Sequence, residues 1–106
     1  MTDASHLQFL ITRRATDRAR CDAAFAAADA IWDKIAALNA RVARGVAYTG
    51  EHPDDRKAKV LLADLRKERR ELVTDYDDAL AKFRRLEDVY LASVTECRMY
   101  GIEEEQ

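Results

Sequence analysis

A repeating pattern of apolar positions runs through the second half of the chain, from Ala58 to Cys97. Apolar or aromatic residues recur there at alternating intervals of four and three, which is the seven-residue repeat of a coiled-coil helix. The repeat positions are Ala58, Leu62, Leu65, Arg69, Leu72, Tyr76, Ala79, Phe83, Leu86, Tyr90, Ser93 and Cys97. No Gly or Pro interrupts this stretch, so the pattern predicts one long helix packed against another.

The first part of the chain carries a second, less regular repeat. Its predicted positions are Leu7, Ile11, Arg14, Arg18, Cys21, Phe25, Ala28, Trp32, Ile35, Asn39 and Val42. Ser5 and Gln8 have the spacing of a capping box, which predicts a helix over residues 5–44. Alanine is frequent between Cys21 and Ala30, and its small side chain lets a partner helix come close.

Turn-forming residues gather only between the two repeats. Gly45, Gly50 and Pro53 predict a loop over residues 45–52, followed by a helix over residues 53–100 with Pro53 in its first turn. Beyond Gly101 the chain ends in a short acidic tail, predicted over residues 101–106.

A short loop makes consecutive helices antiparallel. The sequence therefore predicts an all-α fold, in which residues 1–106 form a single domain, a long antiparallel two-helix hairpin with coiled-coil packing. With Arg44 placed opposite Asp54, facing residues have numbers that add to about 98, so Phe25 is expected near Val73 and Trp32 near Arg66.

The apolar stripe on each predicted helix is wider than a two-stranded seam requires. Two helices alone bury little surface against the conformational entropy that folding costs. We therefore expect self-association, most simply a dimer of hairpins forming a four-helix bundle, or docking onto a larger protein assembly. The predicted interface residues are Leu10, Phe25, Ile31, Trp32, Leu38, Val73, Leu80, Phe83, Val89, Tyr90 and Val94.

Composition agrees with long helices. The chain has 106 residues, of which 36% are charged and 48% hydrophobic, with only 3 Gly and 1 Pro, a balance that disfavours both a sheet and a disordered segment. The net charge of −2 gives no overall attraction to nucleic acid or to anionic membranes. No signal-peptide pattern and no apolar run of about 20 residues is present, which predicts a cytoplasmic protein or one within an assembled particle.

Residues that could carry chemistry are few. His6 and His52 are the only histidines, and neither belongs to a recognised nucleophile or metal-binding motif. Cys21 and Cys97 are predicted to be small buried residues, too far apart for an intrachain disulfide. No glycine-rich phosphate loop is present. The sequence thus predicts a non-enzymatic protein with no metal, cofactor or small-molecule substrate.

Several polar residues occupy repeat positions and leave two interpretations open. They are Arg14, Arg18, Asn39 and Arg69. In the first interpretation they fix the register of the helices. In the second, an arginine cluster binds phosphate or an acidic partner, because the pairing rule brings four guanidinium groups together. The candidate anion-binding residues are Arg13, Arg14, Arg84 and Arg85.

The acidic tip of the predicted hairpin carries Glu51, Asp54 and Asp55. This tip resembles that of the Gre-type transcript-cleavage factors, whose tip carboxylates reach the catalytic metal of a polymerase. The resemblance implies a coiled-coil modulator of transcription and covers the tip alone.

Two short motifs resemble the WXG family of secreted helical hairpins. Tyr48-Thr49-Gly50 falls in the predicted turn, and Tyr100 is followed four residues later by Glu104. The family folds as two antiparallel helices and uses a turn Trp-x-Gly with a trailing Tyr-x-x-x-Asp/Glu as its export signal. The resemblance implies that Tyr48, Gly50, Tyr100 and Glu104 would form that signal.

The hypothesis that the residues favour is a structural or adaptor protein, which oligomerises or clamps a partner and belongs to a larger assembly such as a phage particle. A WXG-like secreted protein, an arginine-cluster binder of anions or nucleic acid, and an acidic-tip transcription modulator are the alternatives.

Overall fold

Two long helices joined by a short loop form the chain in the computed structural model, which describes residues 3–103. Helix α1 spans Ala4–Glu51 and helix α2 spans Arg56–Met99. Their lengths of 48 and 44 residues correspond to about 72 Å and about 66 Å at 1.5 Å per residue. The described residues contain no strand. The predicted all-α helical hairpin is therefore confirmed, although α1 rather than α2 is the longer helix.

Helix α1 begins with a cap that the sequence analysis placed two residues too late. The Asp3 carboxylate accepts a hydrogen bond from the backbone N–H of Ser5 at 3.1 Å, so Asp3 is the N-cap. The predicted capping box is wrong, because the Gln8 side chain donates instead to the hydroxyl of Thr12 at 3.3 Å.

The predicted loop over residues 45–52 is also wrong, because α1 continues through both glycines to Glu51. Gly45 serves close packing instead of ending the helix. A Cβ atom at Gly45 would lie 3.1 Å from Cδ1 of Leu62 on α2, whereas one at Gly50 would meet nothing within 4 Å. Neither glycine has a positive φ, so neither has the left-handed conformation typical of a helix stop.

Asp55 sets the start of α2. Its side-chain Oδ1 accepts from the backbone N–H of Ala58 at 3.0 Å, and its carbonyl oxygen accepts from the N–H of Lys59 at 3.2 Å. This is the geometry of an N-cap. Pro53 lies in the loop, and α2 begins at Arg56, three residues after the predicted start.

At the other end of α2, Gly101 ends the helix as predicted, with the last helical residue at Met99. The φ of Gly101 is 74°. The N–H of Ile102 donates to the Cys97 carbonyl at 2.9 Å, and that of Gly101 donates to the Arg98 carbonyl at 3.0 Å. This pair of bonds is the Schellman motif, which a left-handed glycine makes accessible.

The chain divides into two compact units. The loop unit comprises Ala28–Asp78, and the terminal unit comprises the described residues up to Ala27 and from Ala79 onward. The core of the loop unit is apolar, since it is built from aliphatic side chains of both helices. They are Leu38, Val42, Leu62 and Leu65, with Leu72 packed against them.

The core of the terminal unit is made of smaller and more polar residues. Its buried members are Leu10, Arg14, Asp17, Cys21, Ala24, Ser93 and Cys97. Both cysteines are buried free thiols, as predicted. The thiol of Cys97 donates to the carbonyl of Leu10 at 3.5 Å, and burial, followed by the charges of Glu87 and Asp22, raises the pKa of the Cys21 thiol.

The repeat predicted for α2 is confirmed, because all its positions are partly or fully buried. In α1 every second position of the predicted repeat is exposed, and the residue one position earlier in the chain faces α2 instead. The exposed members of the predicted α1 repeat are Ile11, Arg18, Phe25, Trp32 and Asn39. The residues before them face α2 more fully, and Leu10, Asp17, Ala24 and Leu38 are buried. Small Ala24 lets α2 approach, which a phenylalanine ring at the same position would prevent.

The predicted pairing of the helices is wrong, because it rested on the same incorrect position of the loop. Phe25 contacts Phe83 within the terminal unit, and Trp32 contacts Tyr76 within the loop unit. The residue numbers of each pair add to 108. The expected value of about 98 followed from placing Arg44 beside the turn, whereas α1 extends to Glu51.

No helix among residues 3–103 is long and apolar enough to cross a bilayer.

The two helical glycines provide a matched test of the close approach. Gly50→Ala should stabilise the protein by up to about 1 kcal/mol, because alanine favours a helix and the new methyl group meets no neighbour. Gly45→Ala should give a smaller gain or a loss, because Leu62 must move away. Urea denaturation followed by circular dichroism measures both, and equal gains would contradict the proposed role of Gly45.

Candidate interaction surfaces

In the terminal unit, an aromatic pair leaves one ring largely exposed. The ring centroids of Phe25 and Phe83 lie 5.4 Å apart with planes at 61°, an edge-to-face contact. Phe83 is partly buried, while Phe25 remains 55% exposed. The helix pairing has therefore used only one side of the Phe25 ring.

The loop unit contains a second pair of this kind. The rings of Trp32 and Tyr76 lie 5.2 Å apart at 48°, and Trp32 remains 53% exposed. Tryptophan combines a large apolar area with low side-chain entropy, which makes it the residue type most enriched at binding hot spots. A half-exposed tryptophan on a rigid helix is thus a candidate anchor for another protein surface.

The other predicted interface residues fall into three groups. Leu10 and Leu38 are buried inside the hairpin, and Val73 and Val89 are exposed. Partly buried residues form the remaining group, which consists of Ile31, Leu80, Tyr90 and Val94. Sequence reasoning missed exposed apolar residues outside both stripes, namely Phe9, Val60, Leu91 and Met99, which no periodic signal distinguishes.

A groove of about 530 Å³ runs along both helices next to the loop, entirely within the loop unit. Its apolar lining comes from Ala58, Leu61, Leu62 and Leu65 on α2. Its other lining residues lie mainly on α1 and around the loop. They are Arg41, Arg44, Gly45, Tyr48, Asp55 and Lys57.

The groove carries an excess of positive charge. Arg41, Arg44 and Lys57 line it and form no ion pair with another described residue. The one carboxylate in the lining, Asp55, accepts a hydrogen bond from the hydroxyl of Tyr48 at 2.8 Å and another from the α2 backbone. Asp55 is therefore already engaged in closing the loop.

These hydrogen bonds shift two pKa values in opposite directions. The bond from the Ala58 N–H, followed by that from the Tyr48 hydroxyl, lowers the pKa of Asp55. The bond to Asp55 raises the pKa of Tyr48. At neutral pH the pair is therefore a charged carboxylate and a neutral phenol, which is the arrangement that caps α2.

The four candidate anion-binding arginines do not converge. Arg13 pairs with Glu96 at 3.3 Å, and Arg14 donates to the carbonyl of Glu103 at 2.9 Å. Arg84 and Arg85 follow Phe83, which contacts Phe25. Residues 13 and 14 are about ten positions from the part of α1 that faces Arg84 and Arg85, or roughly 15 Å along the helix. The ten-residue error in the pairing rule had brought them together.

Three arginines, one of them Arg14, line one pocket in the terminal unit. A cavity of about 460 Å³ is lined by Arg14, Arg18 and Arg98 together with Asp22. Each of these arginines takes part in an interaction, and Arg18 lies 3.9 Å from the Asp22 carboxylate. None of the three is therefore a free cation.

A buried polar contact joins the helices in the terminal unit. Ser93 on α2 donates its hydroxyl to the carboxylate of Asp17 on α1, and Asp17 and Ser93 are only 7% and 2% exposed. Arg13 lies 3.9 Å from the same carboxylate. Sequence reasoning missed Asp17 because it assigned the repeat position to Arg18.

Asn39 and Arg69 meet in the loop unit, although neither was expected opposite the other. The guanidinium of Arg69 donates to the side-chain oxygen of Asn39 at 3.5 Å, a long and exposed bond. Under the predicted sum of about 98, Arg69 would have faced Asp29 instead. One pair of polar repeat residues thus meets across the helices.

The features that suggested chemistry are distributed as follows. Among residues 3–103 no three His, Cys, Asp or Glu side chains are placed to hold a metal ion. His6 packs against Tyr100 with ring centroids 5.2 Å apart, and His52 packs against Tyr48 at 4.3 Å. Both histidines therefore contact tyrosine rings near the helix ends.

The residues behind the two motif resemblances lie in a different structural context from the predicted one. Tyr48 and Gly50 lie in the last turns of α1 and not in a turn between helices, which removes the structural context of the WXG signal. Tyr100 follows the end of α2, and Glu104 lies outside the described residues. At the acidic tip, Asp55 is engaged as the α2 cap.

Comparison with known proteins adds no relative: no protein-family model, curated protein or solved structure matches the chain.

The buried contact between Asp17 and Ser93 should contribute measurably to stability. Ser93→Ala removes the donor and leaves a buried carboxylate less well satisfied, which should lower the free energy of unfolding by about 1–3 kcal/mol. Thr95→Ala, at an exposed position two residues further on, is the matched control. Chemical denaturation of Ser93→Ala, of Asp17→Ala and of the double variant Asp17→Ala/Ser93→Ala gives the coupling energy, and additive losses would contradict the contact.

The capping role of Asp55 predicts a defined pH dependence. Because the folded-state pKa of Asp55 is lowered, its contribution to stability is present above the ordinary carboxyl pKa of about 4 and is lost as the pH falls through the folded value. The protein should therefore melt higher than Asp55→Ala at neutral pH, and the difference should close in acid. Tyr48→Phe should raise the pKa of Asp55, as measured by carboxyl NMR titration; an unchanged pKa would contradict the hydrogen bond.

Proposed function

We propose that the chain is a non-enzymatic structural or adaptor module that associates with a second copy of itself, most simply as a dimer of hairpins forming a four-helix bundle. The observation that supports this is the half-exposed aromatic ring on α1 in each unit, Phe25 in one and Trp32 in the other. Each ring has one side against α2 and the other in water, which is typical of an interface residue in the absence of its partner.

The cores also support association. Apart from Leu10, the terminal unit buries alanine, cysteine and polar side chains rather than large aliphatic ones. Small side chains remove little apolar area from water, so further burial on the outer face of the helices would add stability that the hairpin itself lacks. A net charge of −2 offers little repulsion between copies.

Self-association predicts a mass of twice 12.1 kDa in multi-angle light scattering, and a melting temperature that rises with protein concentration. Trp32→Ala should return the mass toward that of one chain and remove the concentration dependence. Its loss of partly buried area within the hairpin costs only about 1 kcal/mol, so the variant should still fold.

Val60→Ala is the matched control, because Val60 is 61% exposed in the same unit and carries no aromatic ring. It should leave the mass unchanged. A monomeric parent protein, or a Trp32→Ala variant with the same mass and melting behaviour as the parent, would contradict the proposal.

A further inference from the structure

We infer that the groove of the loop unit binds an acidic amphipathic helix from a partner protein. This inference deepens the proposed adaptor function, since it names the class of partner, and it concerns a surface separate from the exposed aromatic rings. Two properties of the groove carry it, an apolar lining that is accessible from outside and an excess of cations over carboxylates among the lining residues.

The apolar part of the groove is open. Leu61 is 56% exposed although it lies beside Leu62 and Leu65, which are buried in the core of the unit. On the facing helix Gly45 carries no side chain, and Leu62 packs against it: a Cβ atom there would lie 3.1 Å from Cδ1 of Leu62. An incoming side chain could therefore pack on Leu61 without displacing any residue of the core.

The charged part is unbalanced. Arg41, Arg44 and Lys57 line the groove, while the carboxylate of Asp55 is already hydrogen-bonded on both sides of the loop. Arg41 and Arg44 are three residues apart, so both point to the same side of α1. A ligand of complementary charge would therefore carry carboxylates beside an apolar stripe.

The dimensions fit a helix. The lining residues on α2 extend from Lys57 to Leu65, about 12 Å or two helical turns. An amphipathic helix reads such a groove through residues spaced at i, i+3, i+4 and i+7. A fatty-acid anion would share the chemistry, but an open groove would leave most of its chain in water, whereas small-molecule sites bury most of their ligand.

A nucleic acid fits less well. Phosphates could meet the cations, but the leucines offer nothing to a phosphate backbone, and single-strand binders need free aromatic faces for base stacking. The one aromatic ring of the groove, that of Tyr48, already lies against His52.

The test uses the full chain and a fluorescein-labelled helical peptide, stapled to hold its helix, with leucines at i, i+3, i+4 and i+7 flanked by glutamates. A second peptide has every glutamate replaced by lysine. Fluorescence anisotropy should show that the acidic peptide binds, that the lysine peptide does not, and that added salt weakens binding. Arg41→Gln combined with Arg44→Gln, and separately Leu61→Ala, should each weaken binding at least about tenfold.

Matched controls lie on the same helices. Arg66→Gln and Val60→Ala remove an exposed cation and an exposed apolar side chain outside the groove lining, and both should bind like the parent. Circular dichroism checks that each variant is folded; if a groove variant is not, Lys57→Gln replaces it.

Several results would overturn the inference. They are no binding of the acidic peptide at low salt, equal binding of both peptides, or equal effects of groove and control variants. Methyl NMR shifts at Leu61 and Leu65 that appear with decanoate or an oligonucleotide, but not with the peptide, would also overturn it. So would loss of the dimer mass in the groove variants, because that result would assign the groove to a second copy. The proposed self-association fails separately, through the mass of the parent protein and of Trp32→Ala.

Discussion

The register in which α1 meets α2 determines which residues can interact. It is set by two local features, the N-cap at Asp55 and the uninterrupted run of α1 to Glu51. Because the loop is short and begins only after Glu51, Phe25 meets Phe83 and Trp32 meets Tyr76. A loop placed several residues earlier would have brought together a different set of side chains, including the four arginines that the structure keeps apart.

The fold class and the α2 repeat could be predicted from the sequence, since a long apolar periodicity without breakers has few other solutions. The side of α1 that faces α2 could not be predicted. Phe25 and Ala24 compete for one repeat position, and hydrophobicity favours phenylalanine. Packing favours alanine, because the space between close helices is limited and Phe83 already fills part of it. A choice of this kind depends on the partner helix, and Gly45 was misread for the same reason: its role lies in a contact with Leu62.

Polar residues in the terminal unit illustrate a second limit of sequence reasoning. A pattern can identify a charged residue at a repeat position, but it cannot assign the partner until the register is known. Asp17 receives the hydroxyl of Ser93, and Arg13 bridges Asp17 and Glu96. Such contacts add little net stability compared with apolar packing, yet a shifted pairing would leave a carboxylate buried without them. We expect their main effect to be a penalty on wrong registers, as for polar core residues in coiled coils.

The exposed aromatic rings and the basic groove differ in the forces that they offer to a partner. Contacts on Phe25 or Trp32 would depend on apolar burial, which salt does not screen, whereas contacts in the groove would combine Leu61 with the charges of Arg41 and Arg44, which salt does screen. A partner bound by both forces must match shape and charge together, while a second copy needs only an apolar face. The two proposed contacts can therefore be distinguished by their dependence on salt.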